Sequence, residues 1–223
     1  PIVAQLSAQG LSADALGFQP FTRLGSYWYL TSYAFYITQI AHDFKRLRDG
    51  GAPIDAAIIQ EQAPQVLQAL FPTPSLSQQD QQIAVVGALL QKVLFISGGP
   101  GTGKTTTVMK ILLALQTLHQ GQLRIELAAP TGKAAQRMSE SIRLQKVSLN
   151  ASVEMCASIP EKGKTLHRLL DYVPSKISPR YHAGKPLDLD VLVVDEASMI
   201  DVAMMSKLLA ALPDHARLIL LGD

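Results

Sequence analysis

The eight residues from Gly98 to Thr105, GGPGTGKT, constrain this chain more than any other stretch. A glycine, four free positions, then Gly, Lys and Thr is the pattern of a loop that wraps a phosphate chain. Val93 to Ile96 read as a short buried strand before it. Thr106 to Leu118 carry Val108, Ile111, Leu112 and Leu115 at the three- and four-residue spacing of a helix packed on a sheet. Strand, tight loop and helix N-terminus in that order predict an α/β fold with a central parallel sheet flanked by helices.

Phosphate chemistry explains the residue types. Gly98, Gly99, Gly101 and Gly103 lack a Cβ, so the backbone can adopt positive φ and bring its N–H groups against phosphate oxygens. The dipole of the following helix adds to that field. Lys104 is expected to reach the β and γ phosphates of ATP, and the Thr105 hydroxyl to complete the shell of a bridging Mg²⁺. Pro100 has no N–H and stiffens the turn. Thr102 and Thr106 complete the nucleotide-binding stretch.

The second half of such a site is Val191 to Asp201, VLVVDEASMID. Four apolar residues predict a central parallel strand that ends in Asp195 and Glu196, where open α/β sheets bind ligands. Asp195 is the expected Mg²⁺ contact, through water, and Glu196 the base that orients or deprotonates an attacking water. Taken alone, the loop also reads as a turn and the acidic pair as a solvated helix start. Their pairing carries the catalytic reading.

With 48% hydrophobic and 17% charged residues the chain can build a real core. Cys156 is the only cysteine, which excludes an intramolecular disulfide and a cysteine metal cluster and suits a reducing compartment. Its plain reading is a small apolar filler. There is no run of about 18 apolar residues, and PIVAQLSAQG lacks the segments of a signal peptide, so the expected place is the cytoplasm, away from membranes. Starting at Pro1 and stopping at LILLGD, the chain reads as a piece of something longer.

Composition shifts along the chain. Ten of the thirteen aromatic residues precede residue 75, among them Tyr27, Trp28, Tyr29, Tyr33, Phe35 and Tyr36, and two separate cores are expected from that. Phe35, Ile37, Ile40, Ala41, Phe44 and Leu47 are spaced as one helix face, and Ile54 to Leu70 predict a second helix or helix pair. The boundary is expected in Phe71 to Ser75, where Pro72 and Pro74 break helices, dividing residues 1–74 from 75–223. Packing is the first explanation for the aromatic cluster, a partner-protein interface the second, base stacking the third.

Charge divides the chain differently. Ser97 to Asp190 hold thirteen Lys and Arg against seven Asp and Glu, a positive field suited to a polyanion, although it also reads as a solubilising surface. Leu123 to Ala129 predict a strand that leads into Pro130, Thr131, Gly132 and Lys133. A helix with Ala134, Ala135 and Met138 inward then follows. A second block, TLHRLL, puts Thr165, His167 and Arg168 at a helix start. Both blocks carry the donors that phosphate backbones demand, and both also read as helix caps with solvated charges.

The ordered set GGPGTGKTTT, LAAPTGKAAQRM, TLHRLL, VLVVDEASMID and LILLGD resembles the superfamily 1 DNA helicases, in particular the alpha subunits of exodeoxyribonuclease V (RecBCD). The likeness is dense from about Leu76 onward and thinner over residues 1–74. It implies a RecA-like motor domain over 75–223, incomplete, preceded by a small mainly helical accessory domain that docks on another subunit. Gln81 falls where such helicases read adenine, with Gln78, Gln79 and Gln82 close enough to leave the register open. Thr131, Gly132 and Lys133, and likewise Thr165, His167 and Arg168, match blocks that contact single-stranded DNA.

The resemblance further implies ATP-driven 5′ to 3′ movement on single strands, action on DNA ends in double-strand break repair and recombination, and RecC and RecB as partners. Asp223 ends the block whose next residue senses the γ-phosphate. In this family the arginines that stabilise the transition state come from a second RecA-like domain, which these 223 residues do not contain. The expectation for this stretch alone is weak ATP binding, little hydrolysis and no unwinding. Residues 171–190, rich in Pro and basic residues, read as a loop or hairpin at the strand junction or as a plain solvent loop. An ATPase of AAA+ type would share GPGTGKT and the acidic pair but not APTGKAA or TLHRLL; a kinase would leave the acidic pair and basic track unused. For residues 1–74 a non-enzymatic interaction module is the competing class.

Overall fold

The computed structural model describes residues 20–50, 56–73, 75, 78–99, 101–148, 153–172 and 179–222. Pro74, Pro100 and Asp223 lie outside them. A short antiparallel hairpin, β1 (Phe21–Leu24) and β2 (Tyr27–Leu30), leads into the helices α1 (Thr31–Asp49) and α2 (Ala56–Leu70). Then come α3 (Gln79–Leu90), β3 (Val93–Ser97), α4 (Lys104–Leu118), β4 (Ile125–Ala129), α5 (Gly132–Ser148), α6 (Val153–Ala157), β5 (Lys164–Thr165) and α7 (Leu166–Leu169). β6 (Val191–Val194), α8 (Val202–Ala210) and β7 (Arg217–Gly222) follow. The five later strands form one parallel sheet in the order β3-β7-β6-β4-β5.

The apolar runs explain why the sheet is covered on both faces. In β6, Val191 and Val193 face one side while Leu192 and Val194 face the other, and all four are buried. β7 repeats this, with Ile219 and Leu221 on the first face and Leu218 and Leu220 on the second. α4 covers the first face, enclosed by α2, α3 and α5; α8 and α7 cover the second, joined by the end of α1 through Leu47. Two cores therefore exist, but they are the two faces of one sheet. Ala63, Val66 and Phe71 belong to the first and Leu47 to the second, so described residues before 75 pack into the sheet's cores and form none of their own.

Two sequence expectations are corrected by position in the sheet. Val93 to Ile96, read as a buried strand, form the sheet's edge, and Phe95 is 66% exposed because only β7 flanks it. Of the described aromatic residues before Leu47, Phe44 packs half-buried against the second core, but most of the cluster does not fill one. Tyr27, Trp28, Tyr33 and Phe35 are 71, 57, 51 and 62% exposed, and α1 instead buries Ala34, Asp43 and Leu47.

Three buried or half-buried cations fasten the elements. Arg46 bonds Asp43 at 3.1 Å and the carbonyls of Leu209 and Leu212 at 2.8 and 3.0 Å, and it pairs with Asp214, which ties α1 to the end of α8. Arg217 is 3% exposed and donates to the carbonyls of Ala88, Leu89 and Gln91 at the end of α3. Burial lowers its pKa to about 10, which leaves it charged at neutral pH. Lys92, its pKa also lowered by burial, donates to the Asp214 carbonyl at 2.9 Å. Among the described residues no helix is long and apolar enough to cross a membrane.

Candidate functional site

The carboxyl ends of the parallel strands share one edge, and that edge gathers the residues singled out from sequence. β3 runs into Gly98, β6 into Asp195, β4 into Pro130 and Thr131, and β5 ends in Thr165. Only β7 separates β3 from β6, so loop and carboxylates are roughly 10 Å apart at the spacing of paired strands. Because β4 and β5 pair Ala129 with Thr165, the two threonine blocks are neighbours. The nucleotide residues thus occupy one end of the edge and the basic blocks the other.

In the loop, Gly101 and Gly103 take φ of +81° and +84°, the left-handed region open to glycine, whereas Gly98 and Gly99 do not. Gly98 is required for another reason. A Cβ there would lie 2.8 Å from Thr102 Oγ1, whose hydroxyl donates to the Gly99 carbonyl at 2.9 Å and closes the loop. α4 starts directly after Gly103 with no side chain capping its first N–H groups, so those donors and the helix dipole are turned toward the loop. Lys104 Nζ bonds the Gly98 carbonyl across the loop. Thr105 and Thr106 are half-buried in the first turn of α4.

The acidic pair is set by strained backbone. Glu196 adopts φ 53° and ψ 40°, a left-handed conformation that costs a non-glycine residue about 1–3 kcal/mol and concentrates at functional sites. Its N–H donates to Asp195 Oδ1 at 2.9 Å, while the N–H of Asp195 donates to the Ala128 carbonyl at 2.9 Å. Gly222, at the end of β7, comes within contact of Ser198 in the turn that follows Glu196. A threonine hydroxyl and a carboxylate are the hard oxygen donors that Mg²⁺ takes. Among the described residues no group of three or more His, Cys, Asp or Glu could hold a metal ion.

Both threonine blocks cap helices. Thr131 Oγ1 accepts the N–H of Ala134 at 3.2 Å and Thr165 Oγ1 that of Arg168 at 3.3 Å. An accepting hydroxyl keeps its own proton for a phosphate. Gly132, Lys133, His167 and Arg168 are exposed beside them. Arg124, Lys146, Lys164 and Arg180 each pair with a carboxylate, which leaves only part of the basic surplus for a partner. Of residues 171–190, 173–178 lie outside the described residues. Further on, His182 and Lys185 exchange backbone bonds in a tight hairpin, and Leu187 and Leu189 anchor the return in the second core.

Gln81, in the first turn of α3, lies against the loop: its Nε2 is 3.1 Å from the place of a Cβ on Gly103. Gln79 and Gln82 instead line a groove with Leu67, Ile83 and Leu90. Sequence reasoning missed Lys110, whose Nζ reaches Gln81 Oε1 at 3.4 Å from within α4. Its signal was a charge inside the apolar run from Val108 to Leu115.

A family model described as an AAA domain matches residues 81–223. The chain is 48% identical over 163 residues to the RecBCD enzyme subunit RecD of Haemophilus influenzae, covering 71% of this chain and 26% of that protein. It is 39% identical over 221 residues to the RecBCD enzyme subunit RecD of Mycolicibacterium smegmatis, covering 95% of this chain and 37% of that protein. Against the ATP-dependent RecD2 DNA helicase of Deinococcus radiodurans it is 36% identical over 145 residues, 65% of this chain and 17% of that protein. It thus spans well under half the length of the curated relatives it matches.

Proposed function

The chain belongs to the AAA domain family of P-loop proteins and within it to the RecD helicases, and on that premise we propose that it is the nucleotide-binding part of an ATP-driven DNA motor. The observation that carries the reading is the order along the sheet edge: phosphate loop, acidic pair, then two capped threonine blocks with exposed basic residues. The relatives' names support a whole protein that is a subunit of a RecBCD-type enzyme; its substrate in this reading is single-stranded DNA and DNA ends, and its partners are RecC and RecB. Residues 1–74 serve as its docking module, a reading supported by the exposed Tyr27, Trp28, Tyr33 and Phe35. The cytoplasm is its compartment, and 5′ to 3′ its direction on the strand.

In this mechanism Lys104 exchanges the Gly98 carbonyl for the β and γ phosphates of ATP, and the N–H groups of the loop and of α4 surround the same oxygens. Thr105 and Asp195 would hold Mg²⁺, which when bound would screen the phosphate charge. Glu196 orients the attacking water and takes its proton as the water oxygen bonds the γ-phosphorus and the bond to the ADP oxygen breaks. Thr131, Lys133, Thr165, His167 and Arg168 grip the DNA backbone, and opening and closing against a second motor domain turns that grip into steps.

The test is made on the full-length protein assembled with its partner subunits. Lys104→Ala is expected to weaken ATP binding at least tenfold, whereas Glu196→Gln is expected to keep binding and to lose about a hundredfold or more in DNA-stimulated hydrolysis. Wild-type turnover by Glu196→Gln would refute its role as the base.

A further inference from the structure

Lys110 lies six residues beyond Lys104, about 9 Å along α4 and away from the phosphate loop. It is 5% exposed, and burial pushes its pKa below the usual lysine range. Keeping a cation there costs free energy that Leu or Met would not, since either would continue the apolar surface of Ile111 and Leu112. What the ammonium meets is the face of Phe71, 3.8 Å from the ring centroid, and Gln81 Oε1 at 3.4 Å. A ring and a neutral amide favour the charge without cancelling it.

The Gln81 amide is therefore lodged between Lys110 and Gly103, with Oε1 toward the lysine and Nε2 toward the loop. A half-turn of a glutamine amide exchanges its oxygen and nitrogen, and only one of the two orientations matches adenine. Adenine requires an oxygen to accept from N6 and an N–H to donate to N7. An ammonium only donates, so it admits only Oε1 on its side, and that oxygen keeps a second lone pair for the base.

We propose that Lys110 is a positioning residue that locks the Gln81 amide in the adenine-reading orientation and so makes the site select ATP over GTP. This rests on the reading of the loop as a nucleotide site and of Gln81 as its base reader. Phe71, just beyond α2, steadies the ammonium with the face of its ring.

The test compares equilibrium binding of fluorescent ATP and GTP analogues with Mg²⁺ to the full-length protein in its complex. Wild type is expected to prefer ATP and Gln81→Ala to lose that preference. Lys110→Met is expected to lose about tenfold of it by weakening ATP alone, and Lys110→Arg, still a donor, to keep most of it. Phe71→Leu, which leaves the lysine in place, is expected to cut the preference about threefold and serves if Lys110→Met does not fold. A preference that survives Gln81→Ala sinks the underlying assignment of the base reader. A preference lost in Gln81→Ala but kept in both Lys110→Met and Phe71→Leu overturns the role of Lys110 alone. Equal weakening of ATP and GTP by Lys110→Met marks a packing residue and overturns it as well.

Discussion

Helices α1 and α4 pack on opposite faces of the same sheet and meet solvent in opposite ways. α4 buries eleven of its fifteen residues, enclosed by the sheet and by α2, α3 and α5, whereas α1 buries three of nineteen. The enclosed helix carries the phosphate loop at its start, where any displacement would move Lys104 and Thr105. The open helix is held near one end by Leu47 and Arg46, and it turns Tyr33 and Phe35 to solvent at the other. The difference teaches that density of packing follows the demand for fixed geometry: α4 holds chemistry in place, and α1 holds a surface out.

The contrast breaks most severely at Leu112, which is fully buried in α4. Leu112→Ala is expected to cost about 4 kcal/mol in urea denaturation, while Phe35→Ala on α1 costs less than about 0.5 kcal/mol and weakens association with the partner subunit. Equal costs would erase the distinction between the two helices. A smaller effect comes from Arg46→Ala, which leaves the buried Asp43 with Gln39 and His42 but no arginine and frees two carbonyls; about 2 kcal/mol is expected, with faster hydrogen exchange in α1 and not in α4.

The smallest effect sharpens the comparison at the opposite edge of the sheet. Asp190 accepts from Arg124 Nε and Nη2 at 2.9 and 2.8 Å, and Arg124 holds its pKa down to about 2. A carboxyl lowered on folding stabilises the protein above its unfolded pKa, and that contribution disappears as the pH falls from about 4 to about 2. Asp190→Asn is expected to remove about 1 kcal/mol at neutral pH, since solvent screens the half-exposed Arg124, and to flatten acid unfolding in that window. An unchanged acid profile in thermal melts would count against the pair.

Much of residues 75–223 was legible in the sequence itself. The glycine-rich loop, the β6 run and the inward Ala134, Ala135 and Met138 each follow from a local pattern, and the structure buries or exposes them accordingly. What escaped depends on neighbours distant in sequence. Val93 to Ile96 are as apolar as a central strand, and only the strand order shows them at an edge. The helical spacing of Phe35 and Ile37 suggested an inward face, but the anchors of α1, Asp43 with Arg46, are polar and are fixed by carbonyls on α8 and beyond. No residue pattern announces the positive φ of Glu196, and the contact of Lys110 with Gln81 joins residues 29 apart.

The hold of Arg217 on the end of α3 gives that helix a mechanical character. Arg217 opens β7, whose other end, Gly222, rests against the turn beyond Glu196, so a pull on that strand is passed to the carbonyls of Ala88, Leu89 and Gln91. Twelve helical residues, a rod about 18 Å long, transmit such a pull with little give. Gln81 stands near the rod's far tip. β7 and Gln81 are thereby joined through α3 by a path that bypasses the loop at Gly98.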